Sequence, residues 1–320
     1  MKSRTIEKII PPPTVHWVGD GFRVHNFIPG TGLMTRERVS PFILLDYNSK
    51  HYFAPSEVPR GVGVHPHRGF ETVSIAYKGK IAHHDSFGNS GVIGEGDVQW
   101  MTASSGLLQK EYHEKEFSEL GGLFHMVQLW VNLPAALKMS HPRYQDLSAA
   151  QIPEVRRDDG AVIRIVAGEV DGVGGAVAEI YAEPEYLDVT LPAGAKFAQP
   201  VPRGHAALAY AFEGEGRFGV GCDLGYRGDL DGVQLTAPQM AVFGDGDEVR
   251  VEADDAPVRF LLISGKPLGE PVARYGPFVM NTREEISLAL RDLQNDAFVW
   301  RDDAEWAAKR RTWSPETWER

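Results

Sequence analysis

A single cysteine, Cys222, in 320 residues excludes an intramolecular disulfide, and with no second thiol nearby it also excludes a thiolate zinc site or a dithiol redox pair. That usage fits a reducing, cytoplasmic compartment. Long apolar runs are missing as well. The opening MKSRTIEKIIPPPTV has no signal-peptide core, and nothing later approaches the ~20 apolar residues of a membrane span. Positive charge is in deficit: 33 Lys and Arg against 44 Asp and Glu leave a formal charge of −11, and no stretch gathers the basic residues on one face. A nucleic-acid backbone therefore has nothing to attract it. The sequence carries no GxxxxGK[ST] loop and no GxSxG elbow. GEGRFG (214–219) matches GxGxxG, but the glycine-rich VGCDLGYRGDL after it does not make the required helix, so the segment is expected to be a β turn. GDGDEVRVEADD lacks calcium-loop spacing and is expected to line a solvated edge.

What is present is strand-like. Thirty-four glycines and 21 prolines punctuate short runs such as TVSIAY, VQWMT, MVQLWV, VIRIVAG, ALAYAF and VRFLLIS, the pattern of an all-β sandwich or barrel. With 42% hydrophobic residues the length suits two domains. Helical periodicity is clear only late, where Thr282 and Glu285 form a capping box ahead of Ile286, Ala289, Leu290 and Leu293. A weaker helical stretch spans Asp303 to Arg311. A shift of 135 residues lays Tyr77-Lys78-Gly79-Lys80 on Phe212-Glu213-Gly214-Glu215, a weak repeat at domain-sized spacing. The polar QDLSAAQIPEVRRDDGA, without a strand pattern, is expected to separate domains at 1–150 and 151–320, the second carrying the helices as an appendage.

HPHRGFE (65–71) is the densest group of metal-ligand side chains. On a strand His65 and His67 project to one face, and Glu71 shares their parity. About forty residues on, GLLQKEYHE offers Gln109, Glu111 and His113, again on one parity. Two such strands facing each other supply two histidines and a carboxylate and leave coordination positions open, an arrangement suited to non-haem iron and also to zinc. Against this, an isolated HxH pair is more often structural. His83 and His84 are expected to face solvent, and His205 to be structural. His16, His25, His51, His125 and His141 have no partner cluster and are expected in the core or on the surface. Phe70, Trp100, Met101, Phe124 and Trp130 are more often core than pocket lining.

HPHRGFETV, HDSFGNSGVIGEGDVQWMTASSGLLQKE and EPVARYGPFVMNTREEI, in this order, resemble the pirin family of the cupin superfamily. The likeness runs from PFILLDY (41–47) through the last helix. The resemblance implies two tandem cupin barrels with one divalent metal ion in the first, iron before zinc, manganese or nickel. It implies ligands at His65, His67 and Glu111. The family's GxxHxE motif reads Gly106-Leu107-Leu108-Gln109-Lys110-Glu111 here, so Gln109 stands where a histidine is expected. An amide oxygen is a harder and weaker ligand. Glu71 and His113 are alternatives for that position, ranked below Gln109. The activity implied is that of a dioxygenase acting on a small aromatic substrate, a flavonol such as quercetin; as an alternative to ligation, Glu111 releases the metal and acts as the base that takes the substrate's hydroxyl proton. The alternative is a metal-binding regulator that contacts a protein partner without turnover.

Overall fold

The computed structural model describes residues 1–29, 35–221 and 232–299. Cys222 and the stretch Asp303–Arg311 lie outside them. Strand dominates, as the alternating apolar runs require, and the chain divides into two compact units, each built on a β barrel of the cupin type.

The first unit comprises residues 15–25, 44–149 and 269 onward. One of its sheets runs in the order Arg143–Leu147, Val98–Thr102, Phe70–Lys78, Gly122–Asn132, Phe42–Phe53, Phe22–Ile28 and His16–Val18. The other runs Gly61–His67, Leu107–His113, Ile81–Asp85 and Ser90–Ile93. Leu107–His113 alternates between buried and half-buried positions along its whole length, so its inner face carries Gln109, Glu111 and His113 alongside Leu107. Polar side chains at buried parity are costly unless they are used.

The second unit comprises residues 1–14, 26–43 and 150–268. Its sheet follows the order Ile6–Ile10, Gln239–Phe243, Ala206–Phe218, Val258–Gly265, Glu185–Leu191, Val162–Ala167 and Glu154–Arg156. An apolar core that includes Ile163, Leu187, Phe197, Phe218, Phe243 and Phe260 fills it. One buried carboxyl stands apart: Glu185 accepts from Gln199 Nε2 at 2.6 Å and from Ser264 Oγ at 3.1 Å. Burial pushes its pKa up to about 7, and none of the groups acting on it is cationic.

Several expectations change. The segment 145–160 is not strand-free: Arg143–Leu147 pairs with Val98–Thr102, and Glu154–Arg156 pairs with Val162–Ala167. Both are polar edge strands, which carry no alternating apolar signal. GEGRFG is no turn, since it continues the strand Ala206–Phe218 through a bulge near Gly214, whose φ is +71°. The helix Arg283–Gln294 has the expected capping box, with Thr282 Oγ1 accepting from Glu285 N at 3.2 Å. It belongs to the first unit, not to the second as sequence order suggested, because Ile286, Ala289 and Phe298 pack with Phe278 and Met280. Among the described residues no helix is long and apolar enough to cross a membrane.

Candidate metal centre

Leu107–His113 lies between two antiparallel partners. Gln109 is opposite His65 on one side and Asp85 on the other, and Leu107 is opposite His67. A bulge between Gln109 and Glu111 shifts the register with Gly61–His67 and puts Glu111 opposite Val62, while the regular pairing with Ile81–Asp85 puts it opposite His83. Directly paired residues project to the same face of a sheet, so Gln109 shares a face with His65, and Leu107 with His67.

His65 Nδ1 lies 2.8 Å from the carbonyl oxygen of Gly63. A carbonyl only accepts, so Nδ1 carries the proton and Nε2 keeps its lone pair. That Nε2 lies 3.9 Å from Glu111 Oε2. The His67 ring sits 4.7 Å from that of His65, at 83°. Its other neighbours are aromatic edges and faces: Phe70 at 5.3 Å and Trp130 at 5.6 Å, themselves stacked 4.2 Å apart. The far side of Glu111 is held by Gln128, whose Nε2 donates to Oε1 at 3.4 Å and to Ser74 Oγ at 3.1 Å. Trp130 Nε1 in turn donates to Gln128 Oε1 at 3.0 Å, which fixes which way the amide points.

Burial holds the His67 pKa well below the usual imidazole range, with His65 adding to the effect. The ring is therefore neutral and has a lone pair to give. Burial raises Glu111, against the opposing pull of His65 and of the Gln128 and Gln109 amides. A cation at this point would reverse that bias toward the carboxylate.

Two atoms test whether an ion fits. His67 Nδ1 and Gln109 Oε1 are buried without a hydrogen-bond partner, and Gln109 is only 1% exposed. An orphaned buried acceptor costs about 1–3 kcal/mol, and a metal ion satisfies an amide oxygen. Among the described residues no three His, Cys, Asp or Glu side chains are grouped to hold an ion by themselves. Two imidazoles, one carboxylate and one amide oxygen are donor types that a divalent ion accepts.

The other candidates lie elsewhere. His113 donates through Nε2 to the carbonyl of Gly21 at 2.9 Å and is caged by Phe53, Phe117 and Phe124. It is structural, not a substitute ligand. Glu71, 1% exposed, accepts from Thr102 Oγ1 at 2.7 Å, and burial raises its pKa. His84 is exposed and stacks on Tyr112. His83, expected to face solvent with it, is instead buried, stacked on Tyr144, with Nε2 3.9 Å from Asp146 Oδ2. Adjacent residues alternate faces, and His83 took the inner one. Trp100, Met101 and Phe124 are core, as expected, whereas Phe70 and Trp130 also border His67. Gln128 and Ser74 were missed, although a lone amide inside MVQLWV and a lone hydroxyl inside TVSIAY are the marks of a polar barrel interior.

Residues 21–131 match the Pirin family and residues 186–299 the Pirin C-terminal cupin domain. The chain is 44% identical over 286 residues to a Pseudomonas aeruginosa protein provisionally named a quercetin 2,3-dioxygenase, covering 89% of this chain and 94% of that one. Pirin of Homo sapiens is 40% identical over 283 residues, 87% of this chain and 88% of its own. The crystal structure of a quercetin 2,3-dioxygenase from Acinetobacter baumannii superposes with a TM-score of 0.83 at 40% identity, over 92% of this chain and 98% of the other.

Proposed function

The chain belongs to the pirin family, and from that membership we propose that it is a metal-dependent dioxygenase of flavonol-type aromatics such as quercetin. The ion would be held by His65, His67, Gln109 and Glu111, with iron first in order. The observation that carries the reading is the buried, unpartnered Gln109 oxygen on the same inner face as His65 and Glu111.

When bound, the ion supplies Lewis-acid polarisation of the substrate's oxygens and, as iron, a partner for dioxygen. The protein's own part is orientation and proton transfer. As an alternative to ligation, Glu111 would release the ion and receive the proton of the substrate hydroxyl at Oε2, because Gln128 already engages Oε1. Away from the ion, burial makes that carboxylate a stronger base than an exposed one. The buried Phe70–Trp130 stack holds the His67 ring edge-on.

Elemental analysis of the purified chain, with oxygen uptake on quercetin, tests the proposal. Near-stoichiometric metal together with flavonol-dependent oxygen consumption is expected. Metal without turnover would favour the regulatory alternative, in which replacement of a histidine by Gln109 has relaxed catalysis. Absence of metal after purification with iron, manganese, nickel and zinc supplied would refute both.

A further inference from the structure

The residue between the two motifs' ligands has an environment that ligation does not explain. Arg68 follows His67 directly, is 2% exposed, and spends its guanidinium in three directions. Nε donates to the carbonyl of Ser105 at 2.6 Å, Nη1 to Asp292 Oδ2 at 2.7 Å and Nη2 to the carbonyl of Phe298 at 2.8 Å. The Phe298 ring lies 4.3 Å beneath it. Its backbone is tied as well: Arg68 N donates to Pro277 O, Val279 N donates to Arg68 O, and Gly69 N donates to Ser104 O.

These contacts join the turn that ends the His65–His67 strand to the turn that begins the Gln109–Glu111 strand, and they fasten both to the segment 277–299. Gly106, at φ +120°, shows how close that fit is: a Cβ there would sit 2.9 Å from the Phe298 ring and 3.1 Å from Arg68 Nε. Leu108, next to Gln109, packs against the same Phe278–Phe298 cluster from the outer face of its strand. Lys138 closes the arrangement, donating to the carbonyls of Gly69 at 2.7 Å and Val279 at 2.9 Å.

We infer that Arg68 is a positioning residue of the metal centre: held by Asp292 and Phe298, it sets the two ligand strands against each other, so the segment after the helix governs how tightly the ion is held. The inference rests on the metal reading above. A planar fork used in three directions is not reproduced by lysine, and removal of Asp292 leaves a buried charge unpaired. Supports behind metal ligands typically change affinity by about 10- to 100-fold when lost.

The test measures Mn(II) affinity and dissociation rate by the electron paramagnetic resonance of the free ion. Full-length parent, Phe298→Ala, Asp292→Asn and Arg68→Lys are compared with Phe260→Leu, a core change in the second barrel, all at a temperature where circular dichroism shows native strand. Expected is a loss of about 10- to 100-fold in Mn(II) affinity for the first three variants, and none for Phe260→Leu despite a lowered melting temperature. Unchanged affinity in the first three variants, or an equal loss in Phe260→Leu, overturns the inference and leaves the metal reading standing. A parent chain that binds no ion overturns both.

Discussion

Glu185 gives the sharpest quantitative expectation, because its environment holds the carboxyl neutral without any cation. The unfolded chain releases this proton near the model-peptide value of 4.5, and the folded chain only near 7. Between those values the folded state binds more protons than the unfolded one, so stability falls as pH rises, and the whole penalty is present above about pH 7. At about 1.36 kcal/mol per unit over roughly 2.5 units, the deficit is about 3 kcal/mol. Glu185→Gln imitates the neutral acid: the amide oxygen still accepts from Gln199 and the amide nitrogen donates to Ser264 Oγ. The variant is expected to exceed the parent by about 3 kcal/mol at pH 8 and to equal it below pH 4.5. Guanidinium unfolding followed by circular dichroism across pH 4–8.5 measures the difference, in which every other titrating group cancels. A stability gap that does not vary with pH would refute the reasoning.

Other expectations concern the centre itself. Gln109→His should raise affinity for Fe(II) and Zn(II) by about tenfold or more, since imidazole replaces a weak amide donor. Chelator competition reads it, and equal affinities would place residue 109 outside the coordination sphere. Gln128→Leu removes the hydrogen bond that occupies Glu111 Oε1, so oxygen uptake should drop at saturating flavonol with little change in KM; a pure KM effect would point to substrate contact instead. Gly91→Ala places a Cβ 2.6 Å from His83 Nε2, an overpacking that costs about 1–3 kcal/mol and should show as a lowered melting temperature.

That HPH and LLQKE share an inner face was legible because a strand alternates with period two. HPH and LLQKE each put their candidate side chains on one side, and the pairing of the two strands brings those sides together. What alternation does not reveal is where the inner face stops being the site. His113 shares the parity of Gln109 and Glu111, yet it lies one step further along, where Phe53, Phe117 and Phe124 close over it. For His83 and His84 the pattern shows that one points inward and does not show which. The Arg68 contacts were beyond reach for another reason. Arg68 and Phe298 are 230 residues apart in sequence, and no local pattern links HPHRG with a segment past the last helix.

The exchange of early and late segments has a kinetic consequence. Ile6–Ile10 completes the second unit by pairing with Gln239–Phe243, and residues past 277 complete the first by closing on Arg68. During synthesis, therefore, neither unit can close its fold when its central strands have emerged: one waits with an unpaired edge for residue 243, the other with an unfinished ligand turn for residue 298. Such long closures slow folding and leave strand edges exposed. The Arg68 turn should thus reach its final form only in the last stage of folding, after both barrels' strands are in place.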